Sequence, residues 1–156
     1  MLDPAITELP NPASAGIDRL DTLGILEVMN EQDEAVPRAV RAELPQIKSA
    51  VDCITRAFQE GGRLFFLGAG TSGRLGVLEA TECPPTFNLD PSQVQAIIAG
   101  GPPALFHALD LAEDDAAAGA RDLAGRGFRA GDVLVGISAS GRSRYVLGAV
   151  DHARHT

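Results

Sequence analysis

Two short loops constrain this chain more than any other feature. Gly68-Ala69-Gly70-Thr71-Ser72-Gly73-Arg74 follows the apolar run Leu64-Phe65-Phe66-Leu67, and Ser138-Ala139-Ser140-Gly141-Arg142-Ser143 follows Val133-Leu134-Val135-Gly136-Ile137. Each leads into a helical pattern. A glycine-rich turn between a buried strand and a helix aims backbone N–H groups and the helix N-terminus at an anion. With hydroxyls and an arginine in both, the loops read as two walls of one phosphate site. Tight-turn geometry alone would explain glycines in one such loop. Two loops in equivalent places argue instead for a chain that binds a phosphorylated small molecule.

Composition narrows the partners. The chain has 156 residues, 45% of them hydrophobic, enough for one domain with a core. The net charge is −8, with no basic run, which argues against nucleic acid and anionic membranes as partners. Positive potential at a phosphate site must then be local, which gives Arg74 and Arg142 weight. Cys53 and Cys83 form neither a disulfide framework nor a zinc spacing. The separate His107, His152 and His155 add no ligand cluster, and no metal site is read from them. Met1-Leu2-Asp3-Pro4 lacks the basic start of a signal peptide, and no apolar run approaches the roughly 20 residues that span a bilayer. The cytoplasm is the expected compartment.

Residues 1–62 read as an extended, Pro- and Asn-punctuated segment followed by helices. Thr22 is the expected N-cap of a helix carrying Leu23, Leu26 and Met29. Pro37 suits the first turn of a short helix ending near Glu43. Pro45 opens a longer helix in which Ile47, Val51, Ile54 and Phe58 recur at helical spacing until Gly61-Gly62. These helices read as a cap or dimer arm. From 63 to 156 the pattern becomes strand, loop, helix, with strands at 64–67, 94–99 and 133–137. Helical stretches are expected near 73–82, 103–110, 113–124 and 144–154. Such alternation predicts an α/β fold with a doubly wound parallel sheet, right-handed crossovers, and ligands beyond the carboxyl ends of the strands. Both loops lie there.

The first loop also fits GxGxxG. A dinucleotide site wants an acidic residue near the end of the second strand. Here that strand ends Ile98-Ala99-Gly100-Gly101, and Asp90 precedes it in a Pro-rich turn. The second hydroxyl-bearing loop is also surplus to a dinucleotide site.

The segment GGRLFFLGAGTSGRLGVLEATECPPTF resembles the signature of the N-acetylmuramic acid 6-phosphate etherases, members of the sugar isomerase (SIS) superfamily. The similarity continues through IIAGG, AEDD and GISASGRSRYV, and back through TELPNPASAGIDRLDTLGILEVMNEQDEAVPRAV, so it covers nearly the whole chain. The resemblance implies an SIS-type doubly wound sheet of five parallel strands, three of which are present here, preceded by the N-terminal helices. It implies a carbon–oxygen lyase that cleaves the lactyl ether of N-acetylmuramic acid 6-phosphate during cell-wall recycling. The products are N-acetylglucosamine 6-phosphate and D-lactate. A related non-enzymatic branch, the glucokinase regulatory proteins, binds fructose phosphates on the same fold.

The resemblance also implies roles. Glu82, in the match to the E-C-P-P-T motif, corresponds to the acid/base residue acting on the lactate oxygen, and Glu113, in the AED match, to the second carboxylate. Ring opening exposes an aldehyde that makes the C2 proton acidic. One base removes it, an acid protonates the departing oxygen at C3, and water adds back. Groups of this kind need pKa values matched to the task. Phosphate binding is expected from Gly70, Thr71, Ser72, Gly73 and Arg74 in the first loop, and from Ser138, Ala139, Ser140, Gly141, Arg142 and Ser143 in the second. Each acid also has a bland explanation. Glu82 reads as near a helix end, where its charge opposes the macrodipole, and Glu113 as at a helix start, where an acid is stabilising. Glu79, one turn before Glu82, reads as supporting or solvated, and Cys83 as packing. Glu82 and Glu113 lie on different βα segments, so they are expected to converge across one cleft at the sheet's carboxyl edge.

Two departures from the family pattern stand out. Arg144 replaces a proline where a helix begins, and is expected either to face solvent, the favoured reading, or to add charge to the phosphate site. The chain is also shorter than family members, which implies the N-terminal half of such a protein. A homodimer is expected because the N-terminal helices and the unfinished sheet need apolar cover, with a separate C-terminal half as a further partner. The alternative to an etherase is a sugar-phosphate-binding regulator without chemistry.

Overall fold

A computed structural model describes residues 6–109 and 112–156. The chain divides into two compact units, one up to Asp52 and the other from Cys53 onward. The first begins with three short 3₁₀ turns, Ile6–Glu8, Pro12–Ser14 and Ile17–Arg19, and continues into α1 (Thr22–Asp33) and α2 (Ala35–Ala42). The N-cap of α1 is Asp21 rather than Thr22. The Asp21 carboxylate accepts from the Gly24 N–H at 2.8 Å while its own backbone is extended, the conformation a cap requires. Helix α3 (Leu44–Gln59) crosses the division between the units. Pro37 and Pro45 both fall in first turns, where a missing N–H costs nothing. Neither α1 nor α2 contains a buried residue, and Leu23, Leu26, Met29, Val36, Val40, Leu44, Ile47 and Val51 are all exposed.

The second unit is built on three parallel strands, β1 (Leu64–Gly68), β2 (Val94–Ile98) and β3 (Val133–Ile137), in the order β2-β1-β3. Leu64 stands opposite Val94 on one side and Val133 on the other, so all three strands start level. Helix α4 (Gly70–Phe87) joins β1 to β2, and a 3₁₀ turn at Pro102–Leu105 follows β2. Helix α5 (Ala116–Gly125) precedes β3, and α6 (Arg144–Arg154) follows it. Alternate residues of β1 face opposite sides, as the two-residue strand period demands. Phe65 and Leu67 are fully buried with Leu123 of α5 and Tyr145, Val146 and Ala149 of α6. On the other face Phe66 and Ile137 meet α4 at Gly76. Helices therefore cover both faces, as expected for a doubly wound α/β fold.

Helices α5 and α6 approach so closely that a Cβ on Gly119 would lie 1.9 Å from the Tyr145 carbonyl oxygen. The Tyr145 hydroxyl donates to Asp122 at 2.7 Å, and burial, reinforced by that partner, raises its pKa well above the ordinary tyrosine value. Three helical boundaries differ from expectation. Helix α4 runs on past 82 to Phe87, despite Pro84 and Pro85. Residues 103–110 yield only the 3₁₀ turn at Pro102–Leu105, with Asp110 outside the described residues. Helix α5 begins at Ala116, because Asp115 caps it by accepting from the Ala118 N–H at 2.9 Å. Among the described residues no helix is long and apolar enough to cross a membrane.

Candidate functional site

A cavity of about 390 Å³ opens at the carboxyl ends of β1 and β2. Its walls include Ala69, Gly70 and Thr71 where β1 hands over to α4, together with Arg74, His107, Glu113 and Asp114. The first loop proves to be the opening turn of α4 itself. Ala69 caps the helix with no side-chain hydrogen bond, and Gly70 takes φ +54°, the left-handed turn that releases the chain from the strand. The Gly73 N–H bonds back to Ala69, leaving the helix N-terminus to present its earlier amides. Gly73 is buried against the end of β1. A Cβ there would lie 2.6 Å from the Gly68 carbonyl oxygen and 2.6 Å from Ile98 Cγ1. Among the described residues neither the Thr71 nor the Ser72 hydroxyl has a protein partner. A helix N-terminus with free N–H groups, adjacent hydroxyls and a concave wall is suited to an anionic group.

Arg74 is half-buried, and its side chain is already engaged. Nε donates to the Leu105 carbonyl at 3.1 Å and Nη2 to the His107 carbonyl at 3.0 Å. It thereby pins the segment after β2 to α4. Two of the five guanidinium N–H groups are used in this way, and the others remain for a ligand.

The second loop is organised differently. The Ser138 hydroxyl accepts from the Gly141 N–H at 3.1 Å, and the Ser140 hydroxyl from the Arg142 N–H at 3.2 Å, so both fold the loop on itself. Ser143 Oγ donates to the Glu113 carbonyl at 3.3 Å, and the Tyr145 N–H to the same oxygen at 2.9 Å. The start of α6 thus holds the peptide of Glu113. None of 138–143 lines the cavity; the loop adjoins it through Glu113. Arg142 and Arg144 are exposed.

The two carboxylates are not brought together within the chain. Glu113 lies in the loop before α5, not in its first turn, and its residue lines the cavity. Glu82 is exposed and lies well inside α4 rather than at its end. Its neighbours Thr81 and Pro84 line a separate groove with Pro91, Ser92, Val94 and Gln95, at the start of β2 and hence at the opposite edge of the sheet. The expected convergence across one cleft fails because α4 runs antiparallel to the strands and carries Glu82 away from their carboxyl ends. Two cavity residues, His107 and Asp114, were not singled out from sequence. The available signal was position: one follows the Gly-Gly at the end of β2, and the other is adjacent to Glu113.

A larger groove of about 640 Å³ runs along the outer edge of β2, lined in part by Val77, Ile98, Arg121, Asp122 and Arg126. It contains neither glycine-rich loop and neither of the two glutamates, so the smaller cavity is the candidate site. Among the described residues no group of three His, Cys, Asp or Glu side chains could hold a metal ion.

Residues 46–154 match the family described as the glucokinase regulatory protein N-terminal SIS domain, and the chain belongs to that family. Within that class its sequence is similar to etherases over nearly its whole length. It is 56% identical over 153 residues, 98% of the chain, to the N-acetylmuramic acid 6-phosphate etherase of Aeromonas hydrophila. It is 56% identical over 149 residues to that of Gloeobacter violaceus and 53% identical over 153 to that of Streptomyces avermitilis. The shares of those three proteins covered are 51%, 49% and 49%, so the chain spans about half the length of these relatives.

Proposed function

We propose that this chain carries the phosphate-binding and carboxylate machinery of an N-acetylmuramic acid 6-phosphate etherase, a carbon–oxygen lyase. The observation that carries the reading is the cavity at the carboxyl ends of β1 and β2, where the open first turn of α4 and Glu113 share one wall system. In this reading the 6-phosphate is held by the amides of Gly70, Thr71 and Ser72 and by the two free hydroxyls, with Gly73 giving the turn its close approach to the end of β1. Ser138, Ala139, Ser140, Gly141, Arg142 and Ser143 form the neighbouring wall, with Arg142 supplying mobile positive charge. One carboxylate of the pair Glu82 and Glu113 removes the C2 proton of the open-chain aldehyde. The other protonates the ether oxygen as D-lactate leaves C3. Water then adds to the α,β-unsaturated aldehyde at C3, its proton returning to the acid while the base gives its proton back to C2, and N-acetylglucosamine 6-phosphate results. The substrate belongs to cell-wall recycling and the protein to the cytoplasm.

The same reading includes a homodimer, motivated by the exposed apolar residues of α1 and α2, with a separate polypeptide completing the domain as a further partner. The test is incubation of the purified chain with N-acetylmuramic acid 6-phosphate and an enzymatic assay of D-lactate. Release that is lost in Glu113→Gln supports the etherase; release that persists in that variant counts against the assigned pair. A regulator without chemistry is the second reading, favoured by the family description itself. Binding of a sugar phosphate without lactate release, in the chain alone and with a C-terminal segment supplied in trans, would select it.

A further inference from the structure

We propose that the outer edge of β2 is a docking slot for an extended acidic peptide, which joins the sheet as a further strand. The slot lies apart from the cavity, and the inference does not rest on the etherase reading. The groove beside β2 and the groove at its start share Val77, Ala96 and Arg126, so one channel follows the strand from Pro91 to Gly101. Val77, Ala80 and Thr81 of α4 wall it on one side, and Ala118, Arg121 and Gly125 of α5 on the other. Val94, Ile97 and Ile98 are buried, as in the middle of a sheet, yet β2 has a neighbouring strand on one side only.

The register fixes which backbone groups are left over. The Leu64 N–H donates to the Gln93 carbonyl, and the Ala99 N–H to the Gly68 carbonyl. In a parallel ladder alternate residues turn both backbone groups to the same neighbour. Gln93, Gln95, Ile97 and Ala99 therefore face β1, while Val94, Ala96 and Ile98 face the channel. The Ile98 carbonyl accepts from the Gly101 N–H at 2.9 Å. Among the described residues the remaining N–H and C=O groups of those three have no partner. Open edges are ordinarily guarded by a charge, a proline or a bulge. Val-Gln-Ala-Ile-Ile carries neither charge nor proline, and its register with β1 is unbroken. An extended peptide satisfies such an edge with its own main chain and sends alternate side chains to the two walls.

Charge selects the peptide. Arg121 and Arg126 line the channel in a chain of net charge −8. Asp122 is the one acid among the lining residues, and it already accepts from the Tyr145 hydroxyl at 2.7 Å. Arg121 reaches the exposed Asp115 at 3.3 Å, and Arg126 has no side-chain partner among the described residues. The α4 wall is largely apolar and the α5 wall cationic, so the fitting strand alternates apolar and acidic residues. A second copy would instead bring the same two arginines against their like.

The probe is an acetylated, amidated octapeptide alternating glutamate and valine, added to isotopically labelled chain and followed by NMR. The control peptide alternates lysine and valine. The amide signals of Val94, Ala96 and Ile98 should shift and become protected from exchange, and the lysine peptide should bind at least about tenfold more weakly. Ala96→Pro removes an outward N–H without costing a ladder bond to β1, and should abolish binding. The double variant Arg121→Glu/Arg126→Glu changes two exposed residues and should reverse the preference between the peptides, whether or not the proline variant folds. Absence of a shift at those three amides, equal binding of the two peptides, or shifts confined to the cavity overturns the proposal. So does protection of the same amides that rises with protein concentration in the absence of peptide, which would assign the edge to a second copy.

Discussion

The two edges of the β-sheet are built for different purposes. At the amino edge, Arg63 and Asp132 lock the starts of β1 and β3 together. The Asp132 side chain is fully buried and accepts from Arg63 Nη2 at 2.6 Å, Arg63 Nε at 3.2 Å, the Arg63 N–H at 2.9 Å and the Arg129 N–H at 3.0 Å. The guanidinium also donates to the Gly127 carbonyl and lies 4.9 Å over the Phe65 ring, which packs edge-on against Phe128. At the carboxyl edge, the α4 amides and the Thr71 and Ser72 hydroxyls are left free, and Glu113 is exposed. Polar groups satisfied at one edge and, among the described residues, unpartnered at the other teach that the first edge holds the sheet while the second leaves its polar groups accessible.

The largest effect should come from Asp132→Ala, which leaves the part-buried Arg63 guanidinium and two backbone N–H groups without their acceptor and should cost about 3 kcal/mol in chemical denaturation. Phosphate affinity should be unchanged where the variant is folded; a parallel loss would erase the distinction between the edges. The same carboxylate sets a pH dependence. Burial raises its pKa, but the Arg63 and backbone hydrogen bonds outweigh that and hold it below the usual value. Its contribution is therefore complete above the unfolded pKa of about 3.9 and is lost as pH falls through the lower folded value. Stability curves of parent and variant should draw together as pH falls below about 3.9 and meet only below the lower folded value.

Next in size is Gly73→Ala, whose added methyl must displace either the end of β1 or Ile98. It should cost about 1–3 kcal/mol, and calorimetric titration should detect no inorganic phosphate binding. Intact binding would move the phosphate away from α4. Arg74→Met should cost about 1–2 kcal/mol, by freeing the Leu105 and His107 carbonyls. Hydrogen exchange should quicken in residues 102–109, and affinity should fall further for a sugar phosphate than for inorganic phosphate. Equal losses for both ligands would instead make Arg74 a direct phosphate contact. Smallest is the pair Ser72→Ala and Ser140→Ala. The first should weaken phosphate binding about tenfold with little change in stability. The second should lower stability by about 1 kcal/mol through the loss of the turn bond from Arg142, with a smaller effect on binding. Reversed outcomes would exchange the roles of the two loops.

The strands were legible because short, largely apolar runs bounded by turn residues have few other uses, and β3 begins and ends where the pattern puts it. Helix boundaries were less legible. Asp21 and Asp115 win their caps by side-chain geometry that neighbouring Thr22 and Glu113 could equally have offered on paper. His107 was passed over as a solitary imidazole, because its value comes from where the end of β2 leaves it.

Sequence by itself determined the fold class, the family and the two glycine-rich loops, since these depend on local pattern: strand period, turn chemistry and motif. Tertiary structure alone decided which polar groups are free. The hydroxyls of Ser72 and Ser140 look equivalent in a string of letters, yet among the described residues one has no partner and the other closes a turn. It also decided that Glu113 lines the cavity while Glu82 stands toward the opposite edge of the sheet, because direction along a helix converts twelve residues of sequence into about 18 Å.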